Sequence, residues 1–186
     1  FCRLKYKIVK YLKQYRIPFS GLAAGKHDFE FEINDKFFDC YEHSLVKKGE
    51  LTAKVSLQKQ EGMLIVNFDI NGMITLTCDV CLAEFDAPVS FQERLIVKFV
   101  NEEWDQETDE VIILNKTDHE LDIATLLYEY INVQVPYYAK CSEQGVNITC
   151  DPEMLAKIST EEETQSDIDT ENIDPRWAAL KNIKNN

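Results

Sequence analysis

The motif with the clearest chemistry in this chain is a Cys-x-x-Cys pair, Cys78 and Cys81, at the end of an alternating segment. A tight turn brings both thiols to the same side, and proteins use this geometry in structural zinc sites and in dithiol redox sites. Two further cysteines follow with eight residues between them. The first hypothesis is therefore a Zn²⁺ site of four thiolates, formed by Cys78, Cys81, Cys141 and Cys150.

Two alternatives to a zinc site remain open. In the first, the four cysteines are reduced, half-buried thiols, with Cys141 and Cys150 in a loose loop. In the second, Cys78 and Cys81 form a thioredoxin-like redox site, which needs a helix N-terminus to lower the pKa of its nucleophilic thiol. The sequence favours this second alternative least, because residues 82–88 after the motif lack a helical pattern.

The remaining cysteines, Cys2 and Cys40, are widely separated in the sequence. Lys and Arg are scattered from Arg3 to Lys13, without the apolar core and small-residue cleavage site of a secretion signal. No run approaches the roughly 18 to 20 apolar residues that a membrane span needs. We therefore expect a soluble, cytoplasmic protein with reduced cysteines and no membrane contact.

The sequence contains no pattern typical of a catalytic site. His27, His43 and His119 have no spacing to one another, or to a Ser or Cys, that suggests an activated nucleophile. A phosphate-binding loop is also absent from the sequence. We expect that this chain is not an enzyme.

The elements that must position the cysteines are mostly β-strands. In residues 72–78, apolar Ile74 and Leu76 alternate with Thr75 and Thr77. This period of two is typical of a half-buried strand, and β-branched residues favour its polar face. The first two cysteines are therefore predicted at the end of a strand.

A hairpin turn is predicted at Asn71-Gly72, because a type I′ turn needs positive φ at both central residues. This hairpin would deliver Cys78 and Cys81. Other alternating segments predict further strands. They cover residues 27–33, 50–57, 63–70 and 89–100. The apolar residues 111–114 are predicted to form a short strand or the end of one.

Helical periodicity replaces the alternation after residue 121. Apolar residues of the segment 122–132 recur at helical spacing, and Asp122 can cap its N-terminus. A short amphipathic helix is also predicted from Asp174, which is followed by Pro175. The predicted fold class is α+β, mainly antiparallel β and barrel- or sandwich-like, with one core helix and a short C-terminal helix.

Charge is distributed unevenly along the chain. A net charge of −13 disfavours a broad nucleic-acid groove, because it repels phosphate on average. Residues 1–27 nevertheless carry seven Lys/Arg and no carboxylate, whereas residues 151–174 carry nine Asp/Glu. The composition of the basic segment fits an RNA-contacting arm and, more readily, an edge strand protected by lysines. The candidate RNA-binding residues are Arg3, Lys5, Lys7, Lys10, Lys13, Arg16, Lys47 and Lys48.

These patterns divide the chain into four parts. The last helix cannot bury its apolar face alone, so it docks either on its own domain or on a partner. Its candidate docking residues are Arg176, Trp177 and Leu180. The predicted parts are a basic N-terminal arm or edge strand (1–17), a β-rich core domain (18–158), a disordered acidic linker (159–173) and a C-terminal helix (174–186).

Three stretches of this sequence together resemble a known family. They are Cys78-Asp-Val-Cys81-Leu82, then Asp122-Ile-Ala-Thr-Leu-Leu-Tyr-Glu129 followed seven residues later by Pro136, then Asp174-Pro-Arg-Trp-Ala-Ala-Leu180. Their order and spacing resemble the YceD family, the large ribosomal RNA subunit accumulation proteins, from about Pro18 to Ile183. That family commonly has Arg where this chain has Val80, and its second cysteine cluster is often more compact.

The resemblance implies a bacterial cytoplasmic protein that is linked to accumulation of 23S rRNA and to large-subunit biogenesis, with no established catalytic activity. We expect a biogenesis factor that binds 23S rRNA or its precursor, or a basic large-subunit ribosomal protein attracted by the acidic segments. The alternatives are a chaperone-like protein adaptor without RNA contact and, less favoured, a dithiol redox protein.

Overall fold

A five-stranded sheet forms the centre of the protein in the computed structural model, which describes residues 10–100, 111–115 and 117–165. The strands of the chain are β1 (Arg16–Pro18), β2 (Gly25–Ile33), β3 (Lys48–Lys59), β4 (Met63–Thr77), β5 (Glu84–Val100), β6 (Val111–Asn115) and β7 (Glu120–Asp122). The sheet has the order β2-β3-β4-β5-β6, and its neighbours are antiparallel except for the parallel pair β5 and β6. β1 and β7 form a separate antiparallel pair.

This architecture confirms the predicted α+β class with a mainly antiparallel sheet. The sheet was predicted to be barrel-like or sandwich-like. The described residues do not form a closed barrel, because β2 and β6 are the two edges of the sheet. The strands predicted at 27–33, 50–57, 63–70, 89–100 and 111–114 all exist, most of them with longer bounds.

One face of the sheet is buried. In β4, Leu64, Val66, Phe68 and Ile70 are each at most 1% exposed, and the residues between them are exposed or half-buried. Burying each of these side chains contributes about 1.5–3 kcal/mol. The alternation of apolar and polar residues in the sequence therefore indicates which face of the sheet packs against the core.

The predicted hairpin at Asn71-Gly72 is wrong. Both residues lie inside β4 and pair with β3 on one side and β5 on the other. Gly72 has a φ of +157°, and a Cβ there would lie 2.2 Å from the Glu50 carbonyl oxygen and 2.5 Å from the Leu51 Cα. Glycine is needed here for the close approach of β3 rather than for a turn. The turn between β3 and β4 lies instead at residues 60–62.

The predicted core helix is present on the buried face of the sheet. It is the helix α2 (Ala124–Val133), and it follows the short helix α1 (Asp35–Phe38) along the chain. Leu127 and Ile131 of this helix are fully buried. The ring of Tyr130 meets the ring of Phe68 in β4 at 5.4 Å between centroids. Packing against the sheet, rather than intrinsic propensity alone, therefore stabilises the helix.

This helix begins two residues later than the sequence predicted. Asp122 is the last residue of β7, and its Oδ1 accepts the N–H of Ala124 at 3.1 Å. Asp122 thus satisfies a backbone donor of the first turn, as a capping residue does, although it is part of a strand.

The segment before β1 belongs to the core. Residues 10–12 are helical, and Lys13–Tyr15 continue as a 3₁₀ helix. Tyr15 and Ile17 are 1% and 0% exposed. The predicted boundary after residue 17 therefore falls inside β1 and cuts through buried structure. Residues 1–9 lie outside the described part of the chain.

Three further helices flank these elements. They are α1 (Asp35–Phe38), α3 (Cys141–Gln144) and α4 (Pro152–Gln165). α4 corrects the predicted linker, because the helix continues through residues 159–165; Glu and Gln are good helix formers even in an acidic segment. The rest of the predicted linker and the predicted helix 174–186 lie outside the described residues. No helix in the described ranges is long and apolar enough to cross a membrane.

Candidate metal centre

The Cys-x-x-Cys motif is the loop of the hairpin that joins β4 to β5. Cys78 follows the last residue of β4, and β5 begins three residues after Cys81. The Cys78 N–H donates to the Ala83 carbonyl at 2.9 Å, and the Leu82 N–H donates to the Cys78 carbonyl at 2.9 Å. Leu82 closes the loop in the left-handed conformation, with a φ of +60°. Both thiols are consequently buried, with Cys78 0% and Cys81 7% exposed.

The second pair of cysteines brackets one turn of helix and a short loop. Cys141 is the first residue of α3, and Cys150 immediately precedes Asp151. The Asp151 Oδ1 accepts the N–H of Glu153 at 2.9 Å and so caps the start of α4. The eight intervening residues are therefore compatible with two converging thiols, because α3 and the loop after it return the chain to the same place.

Asp79 fastens the hairpin loop to the segment before Cys141. Its N–H donates to the Ala139 carbonyl at 2.7 Å, and its Oδ2 accepts the Ala139 N–H at 2.6 Å. Both hydrogen bonds join the residue after Cys78 to a residue two positions before Cys141. This role of Asp79 could not be predicted, because no pattern in the sequence pairs position 79 with position 139.

The four thiols converge on one point. The Sγ atoms of Cys78, Cys81, Cys141 and Cys150 all lie within 4.8 Å of one another. The separations are 3.9 Å for Cys78 and Cys150, 3.8 Å for Cys81 and Cys141, and 3.3 Å for Cys141 and Cys150. A regular tetrahedron with Zn–S bonds of about 2.3 Å has edges of about 3.8 Å. The separations are much longer than the roughly 2.05 Å of a disulfide. Four buried thiols in this arrangement are compatible with a metal site.

Backbone N–H groups shape the electrostatics of the centre. Burial alone would raise the pKa of the Cys78 thiol, but hydrogen bonds from the backbone N–H groups of Cys141, Cys81 and Val80 outweigh it and lower this pKa to about 6. The Cys141 N–H lies 3.4 Å from the Cys78 Sγ. Cys141 itself has the opposite shift, because burial and the neighbouring thiols of Cys150, Cys78 and Cys81 raise its pKa to about 12. The centre thus favours the thiolate form of Cys78 without any metal ion.

A lowered thiol pKa is also a property of redox dithiols, but the surroundings of Cys78 differ from such a site. Its thiol is fully buried, so a disulfide substrate cannot reach the sulfur. The motif sits in a β-hairpin rather than at the start of a helix. The Cys78 thiol has sulfur neighbours outside the motif as well, because the Cys150 Sγ lies 3.9 Å away. These features favour metal binding over thiol exchange.

The predicted RNA-binding residues are distributed over separate elements. Arg16 pairs with Asp122 at 3.0 Å, and Lys48 pairs with Glu84 at 2.9 Å. Lys10, Lys13 and Lys47 are exposed. Both ion pairs reduce the charge that these cations offer to phosphate. The candidates outside the described residues are Arg3, Lys5, Lys7, Arg176, Trp177 and Leu180.

Comparison with known proteins gives one match. A family model described as the large ribosomal RNA subunit accumulation protein YceD matches residues 66–184, well over half of the chain. The matched region contains β4 from Val66 onward, β5, the helix α2 and all four cysteines of the centre. No curated protein matches the chain, and no solved structure matches it. At position 80, where the resemblance leads one to expect Arg, Val80 packs against the hydrophobic core.

Proposed function

Because this chain belongs to the YceD family of large ribosomal RNA subunit accumulation proteins, we propose that it is a non-enzymatic, cytoplasmic factor that supports 23S rRNA accumulation and large-subunit assembly. The observation that carries the proposal is the family match over residues 66–184, which includes the entire cysteine centre. The factor acts by binding, either to 23S rRNA or its precursor, or to a basic large-subunit ribosomal protein.

The cysteine centre serves this function as a structural Zn²⁺ site. Four thiolates are the donor set that Zn²⁺ prefers in closed structural sites. All four sulfurs lie within 4.8 Å of one another, and three of the six pairs are separated by 3.3–3.9 Å. Zn²⁺ bound there would join the β4–β5 hairpin to the segment 139–150. Its role is to fix the relative positions of these parts rather than to react.

Charge favours a protein partner over a bare RNA partner. The net charge is −13, and two of the predicted phosphate contacts, Arg16 and Lys48, already pair with carboxylates. The negative electrostatic field that repels phosphate would attract a basic ribosomal protein. Direct binding of rRNA through the basic segment before β1 is the second candidate, supported by exposed Lys10 and Lys13.

Ultraviolet crosslinking in cells, followed by capture of the tagged chain, tests these two modes. Enrichment of 23S precursor sequences at defined positions would support direct rRNA binding. Background RNA together with a basic ribosomal protein in the same capture would support the protein mode.

Deletion of the gene tests the function itself. We expect a lower ratio of 23S to 16S rRNA, restored by the wild-type chain. An unchanged ratio in the deletion strain would contradict the proposed function.

A further inference from the structure

The exposed face of the five-stranded sheet, here called the outer face, is acidic toward the end that carries the cysteines. Residues paired across antiparallel strands share one face, so the register assigns Glu30, Lys54 and Asp69 to a single row of this face. The rows nearer to the cysteines hold only one further cation, Lys48, which pairs with Glu84. The carboxylates in this half of the outer face are Glu30, Glu32, Glu50, Asp69, Glu84 and Asp86.

The opposite half of the outer face has the reverse balance. Lys26, Arg94 and Lys98 belong to its rows, with Asp28 as the carboxylate on the same strand as Lys26. The outer face is therefore electrically polarised along the strands.

A groove of about 300 Å³ opens at the acidic end of the outer face. Its apolar lining includes Leu45, Pro136 and Tyr137. Its charged lining consists of Lys47, Lys48, Asp79 and Glu84. Tyr137 is fully exposed, and Leu45 is 68% exposed. The groove lies beside the cysteine centre, because Asp79 and Ala139, which join the two halves of that centre, also line it.

We infer that the acidic half of the outer face and this groove together dock a Lys/Arg-rich segment of a partner protein, with one apolar or aromatic side chain of that segment in the groove. The inference rests on the proposed function and names its partner as a basic large-subunit ribosomal protein. Exposed apolar side chains beside an excess of carboxylates are complementary to a cationic segment that carries an apolar anchor.

Single-stranded RNA fits this surface less well. A base could stack on Tyr137, but its phosphates would meet Glu50, Glu84 and Asp86 on the same face. Of the two lysines that line the groove, Lys48 is paired with Glu84, and the ammonium group of Lys47 donates to the Glu42 carbonyl at 3.3 Å. The local charge therefore selects a cationic peptide over a polyanion.

Binding measurements with individually purified basic proteins of the large subunit test the inference. The groove variant is Leu45→Ser with Tyr137→Ser, and the face variant is Glu30→Gln with Glu50→Gln. All four side chains are exposed, so folding should be retained and can be checked by melting. The matched control is Glu61→Gln with Glu129→Gln, which removes two exposed carboxylates elsewhere.

We expect at least one ribosomal protein to bind the wild-type chain, with affinity about tenfold or more weaker for the groove variant and several-fold weaker for the face variant. The control should bind like wild type. Absence of any binder, or a binder equally tight for all variants, would overturn the inference. Loss of binding to a short fluorescent single-stranded RNA in the groove variant would reassign the groove to RNA.

This outcome is separable from the proposed function. A deletion strain with normal 23S rRNA would reject the function and leave the measured docking intact. A deletion strain with reduced 23S rRNA that the groove variant fully restores would reject the docking surface and leave the function intact.

Discussion

Cys81 is the residue at which the zinc hypothesis is tested most simply. Its Sγ lies 3.8 Å from that of Cys141 and is almost fully buried. We expect Cys81→Ser to lose bound zinc, because a hydroxyl is a poor replacement for a thiolate, and to lower the melting temperature by roughly 10 °C or more. Metal analysis of protein purified without chelator and calorimetry measure both effects.

Cys40 supplies the control for this substitution. It lies outside the four-thiol cluster, is half-buried and donates to the Lys36 carbonyl at 3.2 Å. Cys40→Ser should leave the zinc content unchanged and should change the melting temperature only slightly. Less than about a tenth of a zinc per wild-type chain would reject the site.

The thiol of Cys78 predicts a pH effect in the metal-free protein. Its pKa is lowered to about 6, because N–H donors outweigh the burial that would raise it. The thiolate therefore stabilises the fold above the ordinary thiol pKa, and this contribution is lost as the pH falls through about 6. Thiolate absorbance should show a titration near pH 6 that Cys78→Ser removes. Absorbance that rises only near the ordinary thiol pKa would contradict this expectation.

Gly72 carries a steric prediction. A Cβ there would lie 2.2 Å from the Glu50 carbonyl oxygen, and its φ of +157° disfavours other residues. We expect Gly72→Ala to lower the free energy of unfolding by about 2–4 kcal/mol in urea denaturation. Gly62 has nothing within 4 Å of its would-be Cβ, so Gly62→Ala should change this free energy by less than about 0.5 kcal/mol. Equal effects would show that β3 can move away from position 72.

Among the elements, the strands were predicted best, because half-buried strands impose an alternation that survives in the sequence. The Asn71-Gly72 prediction failed because the same dipeptide serves a hairpin turn and a close approach between strands. The choice depends on Glu50 in a neighbouring strand. Local sequence cannot contain that information.

The four cysteines of the candidate centre were predicted from the sequence, but their arrangement in space was not. The Cys-x-x-Cys half follows from spacing, whereas Cys141 and Cys150 converge only because α3 and the loop after it fold back. The contact of Asp79 with Ala139 joins positions sixty apart and has no signal in the sequence. The parallel pairing of β5 and β6 likewise depends on tertiary structure and has no signal in the local sequence.

Lys59 ties the segment after β1 to the end of β3. Its ammonium group donates to the carbonyls of Phe19 and Leu22 at 2.8 Å and of Ser20 at 3.3 Å. Methionine would keep the length of the stem and leave three carbonyls without this donor. We expect Lys59→Met to lower the free energy of unfolding by about 1–2 kcal/mol in urea denaturation.

The control for Lys59 is Lys54→Met on the same strand, where the side chain is exposed on the outer face. Its free energy of unfolding should change by less than about 0.5 kcal/mol. A similar loss in both variants would mean that the carbonyl contacts of Lys59 contribute little.

At the scale of the whole molecule, the predicted C-terminal helix (174–186) remains a predicted partner contact. Its docking residues are Arg176, Trp177 and Leu180. We expect deletion of residues 174–186 to leave the melting curve unchanged and to weaken capture of the ribosomal partner. The physical reason is that a short amphipathic helix gains its stability from the surface on which it docks. Scanning calorimetry and quantitative capture measure the two properties. A truncated chain that does not fold would assign the segment to the core instead.

The four cysteines also impose an order of events during synthesis. Cys78 and Cys150 are separated by 72 positions, whereas the hairpin of β4 and β5 is complete soon after Cys81 has been made. The chain can therefore form most of its sheet before Cys141 and Cys150, the last two candidate metal ligands, have been made. The long loop closes last, at the largest entropic cost. Zinc supply would thus act late, on a nearly finished protein. Cells short of zinc should accumulate chains in which the sheet is ordered but the segment 139–150 is not held against the β4–β5 hairpin. Proteases should then cleave this segment.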